Sequence, residues 1–140
     1  MDLVQLDPTA FVADQELIRV LKERSEPVNC EQDRELFKQG GDPIGVYIFH
    51  RGDVTLSMTS PNGTLLMSMA AAPSSLLGLP GIIGNVGYSL SASARKGAEV
   101  SFLRRDEFMH MMLTEPSVSV AILKVLAAEV RTARQALTNA

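Results

Sequence analysis

Between Val54 and Met69 apolar and polar residues alternate on both sides of a Ser60-Pro61-Asn62-Gly63 turn. A period of two turns one face to a core and the other to water, as a half-buried strand requires. Asn-Gly supplies the positive φ angles of a tight hairpin turn. The segment is therefore expected to be a β-hairpin, with Val54-Thr55-Leu56-Ser57-Met58-Thr59 on one arm and Leu65, Met67 and Met69 alternating on the other. Gly45–Phe49, entered through Gly40-Gly41-Asp42-Pro43, reads as a further strand. Tyr88, Leu90, Ala92 and Ala94 alternate with Ser89, Ser91 and Ser93 and read as another. Glu99–Leu103 is expected to be the last. Short strands punctuated by turns point to a sandwich or barrel of about eight strands.

The ends of the chain change period. Leu17, Ile18, Val20 and Leu21 follow helical spacing between Asp14 and Arg24, and Ser25-Glu26-Pro27 stops the helix. Arg105–Leu113 is expected to be a short helix. Pro116 opens a long one, free of Gly and Pro from Ser117 to Leu137. Along it Leu123, Leu126, Val130, Ala133 and Leu137 recur at spacings of three and four, which is a heptad seam suited to a dimer interface.

Composition narrows the function. A chain of 140 residues that is 46% hydrophobic has the size and apolar content of one folded domain. Its net charge of −3 argues against a surface that grips nucleic acid. The single cysteine, Cys30, rules out an internal disulfide framework and suits a cytoplasmic location. The N-terminus lacks the basic and apolar regions of a signal peptide, and no apolar run reaches the ~20 residues of a membrane span. The start at Met1 is expected to mark a stand-alone domain.

In this order of elements, the stretch Arg34-Glu35-Leu36-Phe37-Lys38-Gln39-Gly40-Gly41-Asp42 and the following Gly45-Val46-Tyr47-Ile48-Phe49-His50-Arg51-Gly52-Asp53-Val54 resemble the cyclic-nucleotide-binding domain of the Crp/Fnr regulators and of cyclic-nucleotide-dependent kinases. Glu99–Phe108 and Glu115-Pro116 resemble the family's last strand and the helix after it. The resemblance runs over about residues 14–137. It implies a mainly β fold with flanking helices: a double-stranded β-helix (jelly roll) with a long C-terminal helix. The expected layout is one domain over 1–140, with helix and roll at 14–115 and a dimerisation helix at 116–140. The implied function is regulatory and non-enzymatic, a sensor domain linked to transcription.

The resemblance also implies where a ligand would sit. The family's phosphate-binding cassette is a short helix whose amides meet a cyclic phosphate, with a glutamate for the ribose and an arginine for the phosphate. Here the cassette falls on Gly78-Leu79-Pro80-Gly81-Ile82-Ile83-Gly84 and continues to Ser89. Leu79 stands at the glutamate position and Tyr88 at the arginine position, with Ser89 as the polar neighbour. The candidate ligand residues are thus Gly78, Leu79, Pro80, Gly81, Ile82, Tyr88 and Ser89. Loss of two charge-assisted contacts, each contributing roughly 1.5–3 kcal/mol, predicts no tight binding of cAMP or cGMP. The nearest basic residues, Arg95 and Lys96, are expected in a turn. The pocket left behind is apolar and fits an unidentified effector or none.

Other motifs have plain readings. His50 and His110 are the only histidines, too few for the metal site of a cupin-like enzyme, and are expected to be solvated. No metal or other cofactor is expected. Cys30 reads as a small, partly buried residue. Arg51-Gly52-Asp53 reads as a hairpin glycine, and Met109, Met111 and Met112 as core filling. Gly78, Gly81, Gly84 and Gly87 are not expected to follow a strand and open a helix as a phosphate loop does. Asp33 with Glu35, and Asp106 with Glu107, read as solvated faces. No catalytic triad stands out. The expected partners are a second copy of the chain through the last helix and a small-molecule effector, with no membrane and no DNA bound by this chain alone. A cupin-like enzyme on a similar roll and a purely structural dimerisation module are the alternatives.

Overall fold

The computed structural model describes residues 3–138; the outermost ends of the expected domain and of its last helix lie outside them. Eight strands form two four-stranded antiparallel sheets. One has the order β1 (Glu26–Pro27), β8 (Glu99–Arg104), β3 (Gly45–Arg51), β6 (Ser75–Leu77). The other has the order β2 (Arg34–Phe37), β7 (Ser91–Ala94), β4 (Val54–Thr59), β5 (Leu65–Ala70). This is a jelly roll, as expected. The hairpin stands where the alternation put it: Leu56 pairs with Met69 and Met58 with Met67. Leu56 and Met67 are fully buried between the sheets.

Helix α1 (Gln15–Glu23) begins where the Asp14 carboxylate accepts the Leu17 amide at 2.8 Å, which satisfies one of the free donors of the first turn. Its apolar side puts Leu17, Ile18 and Leu21 into the core. Helix α2 (Leu79–Gly84) lies in the cassette. Helix α3 (Arg105–Thr114) buries Phe108 and Met111, and α4 (Pro116–Thr138) follows at an angle of 112°. The methionines fill the core as expected, with Met109 and Met112 packed against it. Cys30 is buried, and Gly52 takes a positive φ of 101° between β3 and β4. Among the described residues no single helix is long and apolar enough to cross a membrane.

Three expectations need correction. Tyr88 and Leu90 lie outside β7, which begins at Ser91; the Tyr88 amide and carbonyl instead pair with Gly41 and Gly40. Gly78 does follow a strand and open a helix. Strand β6 is buried on both faces and so shows no alternation, and the six residues of α2 are too few to show a period. His50 is not solvated: it is half-buried, and its Nε2 lies 2.8 Å from the Ser101 hydroxyl on β8. Burial, and then the Lys22 charge, hold its imidazole below the ordinary value, so it is neutral at pH 7. His110 is exposed on α3, far along the chain from β3.

Helix α4 carries two seams of spacing three and four. The outer one is the expected seam; Leu123, Val130 and Leu137 are 59%, 50% and 80% exposed. The inner one runs Val118, Ile122, Val125, Glu129, Thr132, Ala136 and packs on the roll, with Glu129 partly buried and the other five buried. A short 3-10 helix, Pro8–Phe11, lies across the same helix. The Asp7 amide donates to the Thr132 hydroxyl at 2.7 Å and ties the start of the chain to its end.

Candidate ligand pocket

The cassette is built on two glycines. Gly78 has a φ of 98°, and a Cβ there would stand 2.8 Å from the Tyr88 ring. A Cβ at Gly87 would stand 2.8 Å from the Gly40 carbonyl oxygen. The two positions let the Gly40-Gly41 loop close on the segment after α2, where the Gly40 amide donates to the Tyr88 carbonyl oxygen at 2.7 Å. The far end of α2 is held by Arg105, whose Nε donates to the Ile82 carbonyl oxygen at 3.0 Å.

Tyr88 is spent on structure. Its ring stacks on Phe37 with centroids 4.2 Å apart, and its hydroxyl donates to the Gly45 carbonyl oxygen at 2.7 Å. Leu79 and Ile82 are fully buried in the core, and Gly81 packs against the backbone of residues 86–88. Gly78, Pro80 and Ser89 are the candidates that line a cavity. The other walls are Phe11 from the 3-10 helix, Phe37, Leu56 and Leu77 from the sheets, Leu90, and Glu129 from α4. Arg95 and Lys96 are exposed in the turn between β7 and β8.

Glu129 is the cavity residue that the sequence motifs did not point to. Its Oε2 is buried without a hydrogen-bond partner among the described residues. Desolvation pushes its carboxyl up to about 8, so the acid is largely protonated at pH 7. The signal was present in the sequence: Glu129 occupies an inner-seam position where the neighbours one turn away, Val125 and Thr132, are buried.

The cavity volume is only about 10 Å³. That is room for one water at most, whereas ligand pockets span roughly 300–1,000 Å³. Among the described residues a cyclic nucleotide would meet no cation on the walls, and it would meet a carboxyl from α4. Its entry would require α4 to move.

No family model matches the sequence, and no curated protein matches it by sequence. Solved structures do match by shape. The catabolite activator protein of Thermus thermophilus superposes with a TM-score of 0.73 at 22% identity, over 94% of this chain and 62% of that one. The N-terminal domain of a transcriptional regulator from Streptomyces coelicolor A3(2) gives 0.63 at 23% identity, over 97% and 95%. The chain has the cyclic-nucleotide-binding-domain fold. The sensor domain of the transcriptional regulator DNR from Pseudomonas aeruginosa shares this fold, with a TM-score of 0.62 at 14% identity over 85% of this chain and 78% of that one. The cyclic-nucleotide-binding-like domain described here spans less than two thirds of the Thermus protein's length, and nearly all of the Streptomyces domain.

Proposed function

We propose that the chain is a non-enzymatic regulatory sensor domain of the Crp/Fnr type, working in the cytoplasm as a homodimer through α4 and linked to transcription. The observation that carries this reading is the division of α4 into two seams. The inner seam closes the cassette cavity, and the outer seam leaves Leu123, Val130 and Leu137 uncovered at heptad spacing. One helix therefore joins the cassette cavity in the roll to a surface fit for a second copy. Solved neighbours that are regulators or their sensor domains support the same reading. The reading includes no DNA contact by this chain alone, because its charge of −3 gives little counterion-release driving force.

Sedimentation velocity tests the proposal. Each outer-seam leucine buried on dimerisation contributes about 1.5–3 kcal/mol. The wild type is expected to sediment as a dimer, and Leu123→Glu with Val130→Glu as a monomer that keeps its circular dichroism. Both side chains are at least half exposed, so the folded chain tolerates the change. A wild type that stays monomeric at high micromolar concentration overturns the homodimer.

A further inference from the structure

The cassette cavity holds one ionisable side chain, and it is an acid. The remaining walls are two aromatic rings, Phe11 and Phe37, three leucines, and Gly78, Pro80 and Ser89 of the cassette. A carboxylate beside aromatic rings, in an apolar enclosure with no basic group among the described residues, is the chemistry that recognises an ammonium group on an apolar body. The carboxylate supplies the counter-charge, and the rings supply a cation–π surface. An anion finds neither. We propose that the site closed by α4 receives a small organic cation, an amine with an apolar substituent, whose ammonium donates to the Glu129 carboxylate. This rests on the regulatory reading above and gives its effector a chemical class.

Geometry sets a further condition. With about 10 Å³ free, an amine larger than water enters only if α4 lifts from the roll. Binding and the position of α4 are therefore coupled, and so is the placement of the outer seam. The acid also makes binding a proton event. The empty pocket holds Glu129 in its neutral form, whereas a bound ammonium favours the ionised one, so binding near pH 7 releases a proton. Among the described residues no other ionisable side chain lines the cavity. One turn away along α4 are Val125, Leu126, Thr132 and Ala133, all uncharged. Asp7, whose amide meets Thr132, turns its carboxylate to the Thr9 amide and hydroxyl.

The test is a thermal-shift and calorimetric titration of the whole chain with primary amines from butylamine to phenethylamine. 2-Phenylethanol and 3-phenylpropanoate serve as the neutral and anionic counterparts. At least one amine is expected to raise the Tm at about 10 mM, while the counterparts do not. Glu129→Gln keeps the shape, removes no native charge at pH 7, and is expected to weaken that amine at least about tenfold. The wild type is expected to release a proton on binding, read from heats in two buffers of different ionisation enthalpy. This measurement needs no variant. Absence of any amine shift between pH 6.5 and 8.5, or an equal shift in Glu129→Gln, overturns the inference. A chain that dimerises but ignores every amine loses this inference and keeps the regulatory reading. A monomer that binds amine through Glu129 keeps the site and loses the homodimer.

Discussion

The Tyr88 hydroxyl grips both backbone groups of Gly45, donating to the carbonyl oxygen at 2.7 Å and accepting from the amide at 3.2 Å. Tyr88 thus pins the segment after α2 to the start of β3, in a buried site where neither backbone group meets bulk water. Tyr88→Phe keeps the stack on Phe37 and removes both bonds. It is expected to destabilise the fold by about 1–3 kcal/mol, read as a lower midpoint in urea unfolding at unchanged m. Stability equal to the wild type would mean the hydroxyl contributes nothing.

The carboxyl of Glu129 predicts a pH profile. Its value is raised from 4.5 in the unfolded chain to about 8 in the fold, so the folded state holds the proton more tightly. The unfolded chain gains charge first as pH rises, and stability falls across that window. The slope is roughly 1.4 kcal/mol per pH unit between about pH 5 and 8, flattening above it. Glu129→Gln should remove that slope and be the more stable protein at pH 8. Denaturant titrations at pH 5, 6.5 and 8 check this, and parallel curves for the two proteins would contradict it.

Cyclic nucleotides should bind weakly if at all. Among the described residues no basic side chain lines the cavity, and the buried Leu79 and the occupied Tyr88 stand where the family pattern has its charged pair. Calorimetry with cAMP and cGMP is expected to give no dissociation constant below about 10 μM, near −7 kcal/mol. A tighter complex would require a phosphate contact that this closed arrangement does not offer.

The His50–Ser101 contact between the paired strands β3 and β8 carries a second pH effect. His50 is held below its ordinary value, so its contribution is present above the unfolded pKa of 6.5 and is lost as pH falls through the folded one. His50→Gln, which can still bond the Ser101 hydroxyl, should reduce the acid loss of stability below pH 6. Identical profiles for variant and wild type would assign that loss elsewhere.

Much of this was legible because the elements carry strong periods. The 54–69 hairpin shows its alternation openly, and α4 shows its heptads. Strand β6 was hidden because all three of its residues are buried, which erases the period that marks a strand. Tyr88 misled for the opposite reason: it continues the alternation of β7 by position, yet its backbone bonds to Gly40 and Gly41. The pocket was half legible. Gly78, Pro80 and Ser89 came from local sequence, but Phe11 and Glu129 reach the cavity from opposite ends of the chain. No local pattern reports such a meeting.

Among the described residues α4 shares no backbone hydrogen bond with either sheet. Apolar contact along its inner seam, packing against α3, the Ser119 hydroxyl donating to the Met112 carbonyl oxygen, and the Thr132–Asp7 bond hold it. It is therefore a separable foldon: it can detach while every rung of the jelly roll stays intact. The free energy of that opening is set by one seam of six residues, and the acid in the middle of that seam lowers it. Amides of α4 would then exchange with deuterium through partial opening, in advance of the β3 and β8 amides that wait for global unfolding.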